Sequence, residues 1–179
     1  MKASSRWRLA AVLSSLALAV LLVHQAIAAG VRSSASGGTV EKVNVVRSSE
    51  IFNTSTKTFQ TIPGATAQVT VPPGEHALLV ARFTTQQDCT VGDGSPTGSC
   101  MARLLANTSE MKPSSGGQVI DSVSSGAAAG VKAGALDRSF GPVGPGTYTI
   151  KVQVRVTSSL MILEVTDWHL TVERVHVSG

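Results

Sequence analysis

Between residues 147 and 157 the chain reads TYTIKVQVRVT, and apolar side chains recur there at every second position. Tyr148, Ile150, Val152, Val154 and Val156 share one face, while Thr149, Lys151, Gln153 and Arg155 share the other. A period of two belongs to extended backbone, in which successive side chains point to opposite sides; β-branched residues suit that geometry. The segment therefore predicts a strand with one dry face and one wet face. Burying each apolar side chain gains roughly 1.5–3 kcal/mol, and ordering each backbone residue costs about 1–2 kcal/mol. A lone strand of this kind breaks about even, so it needs a second sheet to pack against.

The same alternation recurs along the chain. In residues 65–71, Ala67, Val69 and Val71 fall together, and in residues 76–84 so do Ala77, Leu79, Ala81 and Phe83. Residues 42–47, 50–59, 101–106, 118–123, 136–140, 160–165 and 168–177 are shorter or less regular strand candidates. The alanines of residues 127–135 favour helix, but Gly130 and Gly134 weaken it. Ile62-Pro63-Gly64, Pro72-Pro73-Gly74 and the proline- and glycine-rich stretch 141–146 read as turns, because proline presets φ and glycine tolerates positive φ. Residues 112–117 and 124–134 read as loops. Short strands punctuated by turns, with no helices between them, imply an all-β fold of two packed antiparallel sheets. We expect a β-sandwich of jelly-roll type, ahead of an immunoglobulin-like one.

The start of the chain follows another pattern. Lys2, Arg6 and Arg8 precede fifteen apolar or small residues, 9–23, interrupted only by Ser14 and Ser15. Ala26-Ile27-Ala28 then offers the small-x-small pattern that signal peptidase accepts, so residues 1–28 are expected to be a secretory signal peptide. A spanning helix needs roughly 20 apolar residues, and this run stops short at His24-Gln25. No cysteine stands near its end, which argues against a bacterial lipoprotein. Residues 29–39, rich in Ser and Gly, read as a flexible leader, and residues 40–179 as the β-sandwich domain. The expected location is secreted and extracellular, free of the membrane once the signal is cleaved. An uncleaved start would leave the same domain outside, tethered by its N-terminus.

Export changes the charge argument. Lys2, Arg6 and Arg8 leave with the signal, so 15 basic residues become 12 against 11 acidic ones. A near-neutral domain gives no support for nucleic-acid binding, which requires a strongly basic surface. The two cysteines, Cys89 and Cys100, are expected to form a disulfide, the usual state of a pair in a secreted chain. Two cysteines without histidines at ligand spacing make a zinc site the weaker reading.

The segments TFQTIPGATAQVTVPPGEHALLVARFT, a Cys-to-Cys loop, SFGPVGPGTYTIKVQVRV and DWHLTVERVHV follow one another in fixed order. Together they resemble a group of exported bacterial β-sandwich proteins of actinobacterial type, over most of residues 52–177. In layout the chain is also loosely similar to the jelly rolls of complement globular heads and tumour-necrosis-factor-like domains. Neither resemblance supplies a catalytic residue, and an architecture does not carry a function with it.

Motifs for known chemistries are missing from the sequence. It holds no G-x-S-x-G elbow, H-E-x-x-H helix, phosphate loop or dinucleotide fingerprint. Asp167 and His169, two apart on a predicted strand, share a face and are candidate ligand-binding residues; a carboxylate beside an imidazole can orient a base or hold half a metal site. The plainer expectation is a solvated outer face, since polar alternation is what such a face requires. His176 is placed on the opposite face from His169. Trp168 and Tyr148 continue apolar faces and are expected in the core. Asp88, Asp93 and Asp121 offer oxygen ligands, but calcium takes six to eight of them and no ligand spacing is present.

The expectation is a non-catalytic extracellular module, with no metal and no cofactor, that binds a protein or glycan ligand or assembles with copies of itself. The loops 88–100, 112–117 and 124–136 would form its contact surface. A carbohydrate-binding module and a small hydrolase are the alternatives. With aromatic residues at 4%, stacking platforms for sugars are few.

Overall fold

The alternating segments pair into ten strands in a computed structural model that describes residues 38–91, 97–124 and 130–177. The expected signal peptide, nearly all of the expected leader, and Asp93 lie outside the described residues. The strands are β1 (Val40–Ser48), β2 (Phe52–Thr54), β3 (Gln60–Val71), β4 (Ala77–Val91) and β5 (Thr97–Ala106). They continue with β6 (Ser109–Glu110), β7 (Gln118–Ser124), β8 (Lys132–Val143), β9 (Gly146–Val156) and β10 (Met161–His176). No helix forms among the described residues.

The front sheet runs β1–β10–β4–β8, with β2 also on β10; the back sheet runs β3–β9–β5–β6, with β7 also on β5. Every pairing is antiparallel. β1 and β2 occupy successive stretches of one side of β10, and β7 and β6 do the same along β5. Each sheet is thus four strands wide. The chain crosses between sheets at β2–β3, β3–β4, β4–β5, β7–β8, β8–β9 and β9–β10. This is jelly-roll connectivity, in which antiparallel strands from two sheets enclose one core.

The core is built from the inward half of each alternation. From β4 it receives Ala77, Leu79, Ala81 and Phe83; from β9, Ile150, Val152, Val154 and Val156; from β10, Met161, Leu163, Val165, Trp168, Leu170 and Val172. Trp168 is buried as expected, while Tyr148 is only partly buried at the margin, where its hydroxyl donates to the Gly144 carbonyl at 3.0 Å. Cys89 and Cys100 form the expected disulfide, with Cα atoms 6.1 Å apart. Cys89 belongs to the front sheet and Cys100 to the back, so the bond ties one sheet to the other within the core.

Several local expectations are corrected by the pairing. Ile62-Pro63-Gly64 is no turn: it lies inside β3, where five residues advance from Thr61 to Thr66 against two of β9. Gly64 at φ 75° makes this bulge, which returns both Ile62 and Ala65 to the core. The two predicted C-terminal strands are one. β10 continues through a bulge in which Thr166 to His169 oppose only Gln86 to Thr84, and Asp167 takes φ 44°. The loops 88–100 and 124–136 are shorter than expected, because β4 extends to Val91 and β8 starts at Lys132. Lys132 to Leu136 pair with Gln87 to Phe83, so backbone pairing overrides the alanine-rich composition. Of residues 50–59 only Phe52–Thr54 pairs as a strand.

Candidate functional site

The residues singled out from sequence do not converge. Asp88, on β4, accepts a hydrogen bond from the Gly130 amide at 3.2 Å. Asp121 turns inward from β7, accepts the Ser122 amide at 2.7 Å and pairs with the Lys132 ammonium at 2.6 Å. These two aspartates fasten loop and strand ends. They do not build a calcium shell.

Asp167 and His169 do lie together, at the β10 bulge. With Arg47, Ser48, Ser49 and Glu50 they line a shallow hollow open to solvent, where the β1–β2 connection crosses the bulge. Both are exposed, and Arg47 stands opposite His169 in the strand register. Among the described residues, no hydrogen bond joins His169 to Asp167 or to either serine. A hydrolytic triad requires those two bonds, nucleophile to base and base to its orienting acid. Their absence here leaves a polar rim without assembled catalytic geometry.

His176 falls on the other face from His169, in line with the odd spacing. It belongs to a cluster at the far end of β10 in which Glu41, Glu75 and His176 bring ligand-type atoms within 4.8 Å of one another. The Arg174 guanidinium enters the same cluster. It sits 3.0 Å from Glu41 and 3.8 Å from Glu75, and donates to the Thr70 carbonyl at 2.8 Å. A cation already supplied by the chain makes this an ion-pair clamp joining β1, the β3–β4 turn and β10.

The outer face of the back sheet holds a constellation that sequence reading did not single out. β3, β5 and β9 carry Arg103, Lys151 and Arg155 at outward positions and no acidic residue at all. Arg103 stands opposite Gln153 on β9, so it lies diagonally between Lys151 and Arg155. Diagonal neighbours of this kind are about 7–8 Å apart, and four residues of strand separate Lys151 from Arg155 by about 13 Å. The three cations thus form a zigzag row, continued by Lys57 at the β2–β3 connection, whose carbonyl accepts from Arg155 at 3.5 Å.

Phe59 organises this row. The Arg103 guanidinium lies over its ring at 4.0 Å from the centroid and Arg155 at 4.9 Å. A cation over an aromatic ring is held by the ring's negative face. Arg103 also donates from Nε and Nη2 to the Gln153 side-chain oxygen Oε1, at 2.9 and 2.7 Å. Gly117 makes room for the ring: it has φ 108°, and a Cβ there would stand 2.6 Å from Phe59. Among the described residues none of Lys57, Arg103, Lys151 and Arg155 pairs with a carboxylate. Glu110, on neighbouring β6, accepts from the Ser115 and Gly117 amides at 3.1 and 3.2 Å.

The front sheet has the opposite character. Its outer surface carries Asp88, Asp137, Glu164, Asp167 and Glu173 against Arg47 and Arg82. Arg82 is neutralised by Asp137 at 2.6 Å, and that hydrogen bond raises its already high pKa.

No protein-family model and no curated protein matches the chain. Solved structures with a similar outline include infectious bursal disease virus, Gx strain, at 11% identity over 78% of this chain and 33% of that one, with a TM-score of 0.42. The Gt strain gives 9% identity over 80% and 34%, with a TM-score of 0.39. Dimeric latent PorU from Porphyromonas gingivalis gives 11% over 81% and 14%, with a TM-score of 0.33. The chain spans about a third of the viral chains and a smaller part of PorU. Scores this low carry no functional argument, and the jelly-roll assignment rests on the strand order itself.

The row was partly visible in sequence. Lys151, Gln153 and Arg155 were already placed on the wet face of their strand. What sequence lacked was the register that sets Arg103 between them and the loop path that lays Phe59 against both guanidiniums.

Proposed function

We propose that this chain is an exported, non-catalytic jelly-roll binding module whose recognition surface is the outer face of the back sheet. The observation that carries the reading is the row Lys57, Arg103, Lys151 and Arg155, without carboxylate partners among the described residues, on a scaffold pinned by a buried disulfide. Cations organised in this way are free to meet an anionic partner, and complementary charge sets orientation and association rate. Disulfides persist mainly in oxidising compartments. No helix among the described residues is long and apolar enough to cross a membrane. Both observations are compatible with work outside the cytoplasm, as is the signal-like start of the sequence.

Retention on a sulfonate matrix tests the surface. Residues 38–179 hold 11 basic and 11 acidic side chains, so net charge alone gives little reason for retention. The expected result is retention of the protein, loss of it in Arg103→Glu with Arg155→Glu, and no loss in the charge-matched control Arg47→Glu with Arg82→Glu. Equal loss in both double variants would overturn the assignment to the back sheet.

A further inference from the structure

We infer that the partner of the back-sheet face is a linear acidic polysaccharide, one bearing carboxylate or sulfate groups at regular intervals; this rests on the reading of that face as the recognition surface. Three features select this class. Lys151 and Arg155 stand about 13 Å apart along β9, with Arg103 between them and Lys57 beyond, so the row as a whole spans more than one small oxyanion covers. A row of charges matches a row of charges, which a repeating acidic polymer presents and a lone phosphate or carboxylate does not. The surface beside the cations also carries Thr61, Thr66 and Thr149, whose hydroxyl groups suit sugar hydroxyls.

Nucleic acid shares the charge but fits less well. Single strands are held by bases stacked on aromatic rings as well as by cations. Phe59 is the aromatic of this face, and two guanidiniums already lie over its ring. The domain as a whole is also electrically balanced, so attraction is confined to one side, where an extended flexible polymer can lie along the strands.

Each guanidinium has a defined share. Arg103 is held by Gln153 and by the ring, so its remaining amine edge is presented in a set direction. Arg155 has weaker fastening: a carbonyl at 3.5 Å, the Met101 sulfur at 3.3 Å, and a buried Nε without a hydrogen-bond partner. Guanidinium groups pair bidentately with planar carboxylates and with sulfate or phosphate oxygens, which makes arginine the stronger determinant here and lysine the supporting one.

The test is calorimetric titration of the purified protein with polygalacturonate, chondroitin sulfate, neutral dextran and a DNA duplex of similar length. The expected result is binding to both acidic glycans and none to dextran. That binding should weaken about tenfold or more between about 0.05 M and about 0.5 M salt, as screening shortens the reach of the charges. Arg103→Ala with Arg155→Ala should reduce affinity at least about tenfold, a loss of about 1.4 kcal/mol. Arg82→Ala, on the other sheet, should leave it unchanged. Should the arginine pair prove needed for folding, Lys57→Glu with Lys151→Glu carries the same prediction from the two lysines of the row. Binding of DNA more tightly than either glycan, equal binding of dextran, or unchanged affinity in both double variants would overturn the inference. Retention on sulfonate through the back sheet without binding to either glycan would leave the recognition surface standing and remove only this ligand class.

Discussion

Phe59 exerts its influence through two other residues. Its ring lies beneath the Arg103 and Arg155 guanidiniums, and a cation–π contact at a half-exposed site is worth about 0.5–1 kcal/mol. Phe59→Ala should therefore change stability little while weakening polyanion binding several-fold, as both arginines regain freedom; thermal melting beside calorimetric titration separates the two effects. Asp167 poses a different residue-level question. Its φ of 44° lies where a Cβ is disfavoured, and Asp tolerates it better than a branched residue. Asp167→Gly should match or exceed the parent in urea unfolding, whereas Asp167→Val should lose about 1 kcal/mol or more. If Asp167→Gly instead costs stability comparable to the valine variant, the carboxylate has a partner that the bulge geometry does not reveal. The residue types at 167 and 169 were plain in sequence. Their local backbone was not, because a positive φ at a non-glycine residue is set by the pairing around it.

At the level of elements, β10 is the spine of the front sheet. It pairs with β4 along one side and with β1 and β2 along the other, and its bulge falls where β1 gives way to β2. The inward Thr85 hydroxyl reaches the Thr166 carbonyl at 3.1 Å, providing a partner to the backbone group nearest the kink. Parity then changes from Met161, Leu163 and Val165 to Trp168, Leu170 and Val172, all buried. Period-two reading sees that parity change as a break between two strands, since it has no means of counting an extra residue. The same blindness turned the β3 bulge into a turn. Two ties hold these elements. The Cys89–Cys100 bond closes a sequence separation of 11, for which restricting the unfolded chain contributes roughly 3 kcal/mol. Cys89→Ser with Cys100→Ser should lower unfolding free energy by about that amount, read from urea midpoints with and without reductant. Arg174, 14% exposed, joins Glu41, Glu75 and the Thr70 carbonyl. Arg174→Ala should cost about 1–2 kcal/mol, and a loss below the error of unfolding curves would show the clamp to be ornamental.

For the whole molecule, what separates the two sides of the sandwich is charge, since both bury a comparable apolar face. Among the described residues, the outer face of the front sheet carries more acidic than basic groups, while the outward positions of β3, β5 and β9 carry cations and no carboxylate, within a domain of nearly zero net charge. The layered fold was legible because alternation reports which side of a strand is dry, and that side alone defines the core. The face proposed for recognition was hidden because outward residues are free of packing constraint, so their grouping appears only once strands are placed side by side. Two of the three loops expected to form the contact surface, 88–100 and 124–136, are shorter than their composition suggests, and the sheet face is the surface proposed here. The most direct measurement is a two-dimensional amide NMR titration of the isotope-labelled protein with polygalacturonate. The account predicts shift changes centred on Phe59, Arg103, Gln153 and Arg155 in the back sheet. Changes centred instead on Arg47, Ser49 and His169 around the β10 bulge, or none anywhere, would contradict it.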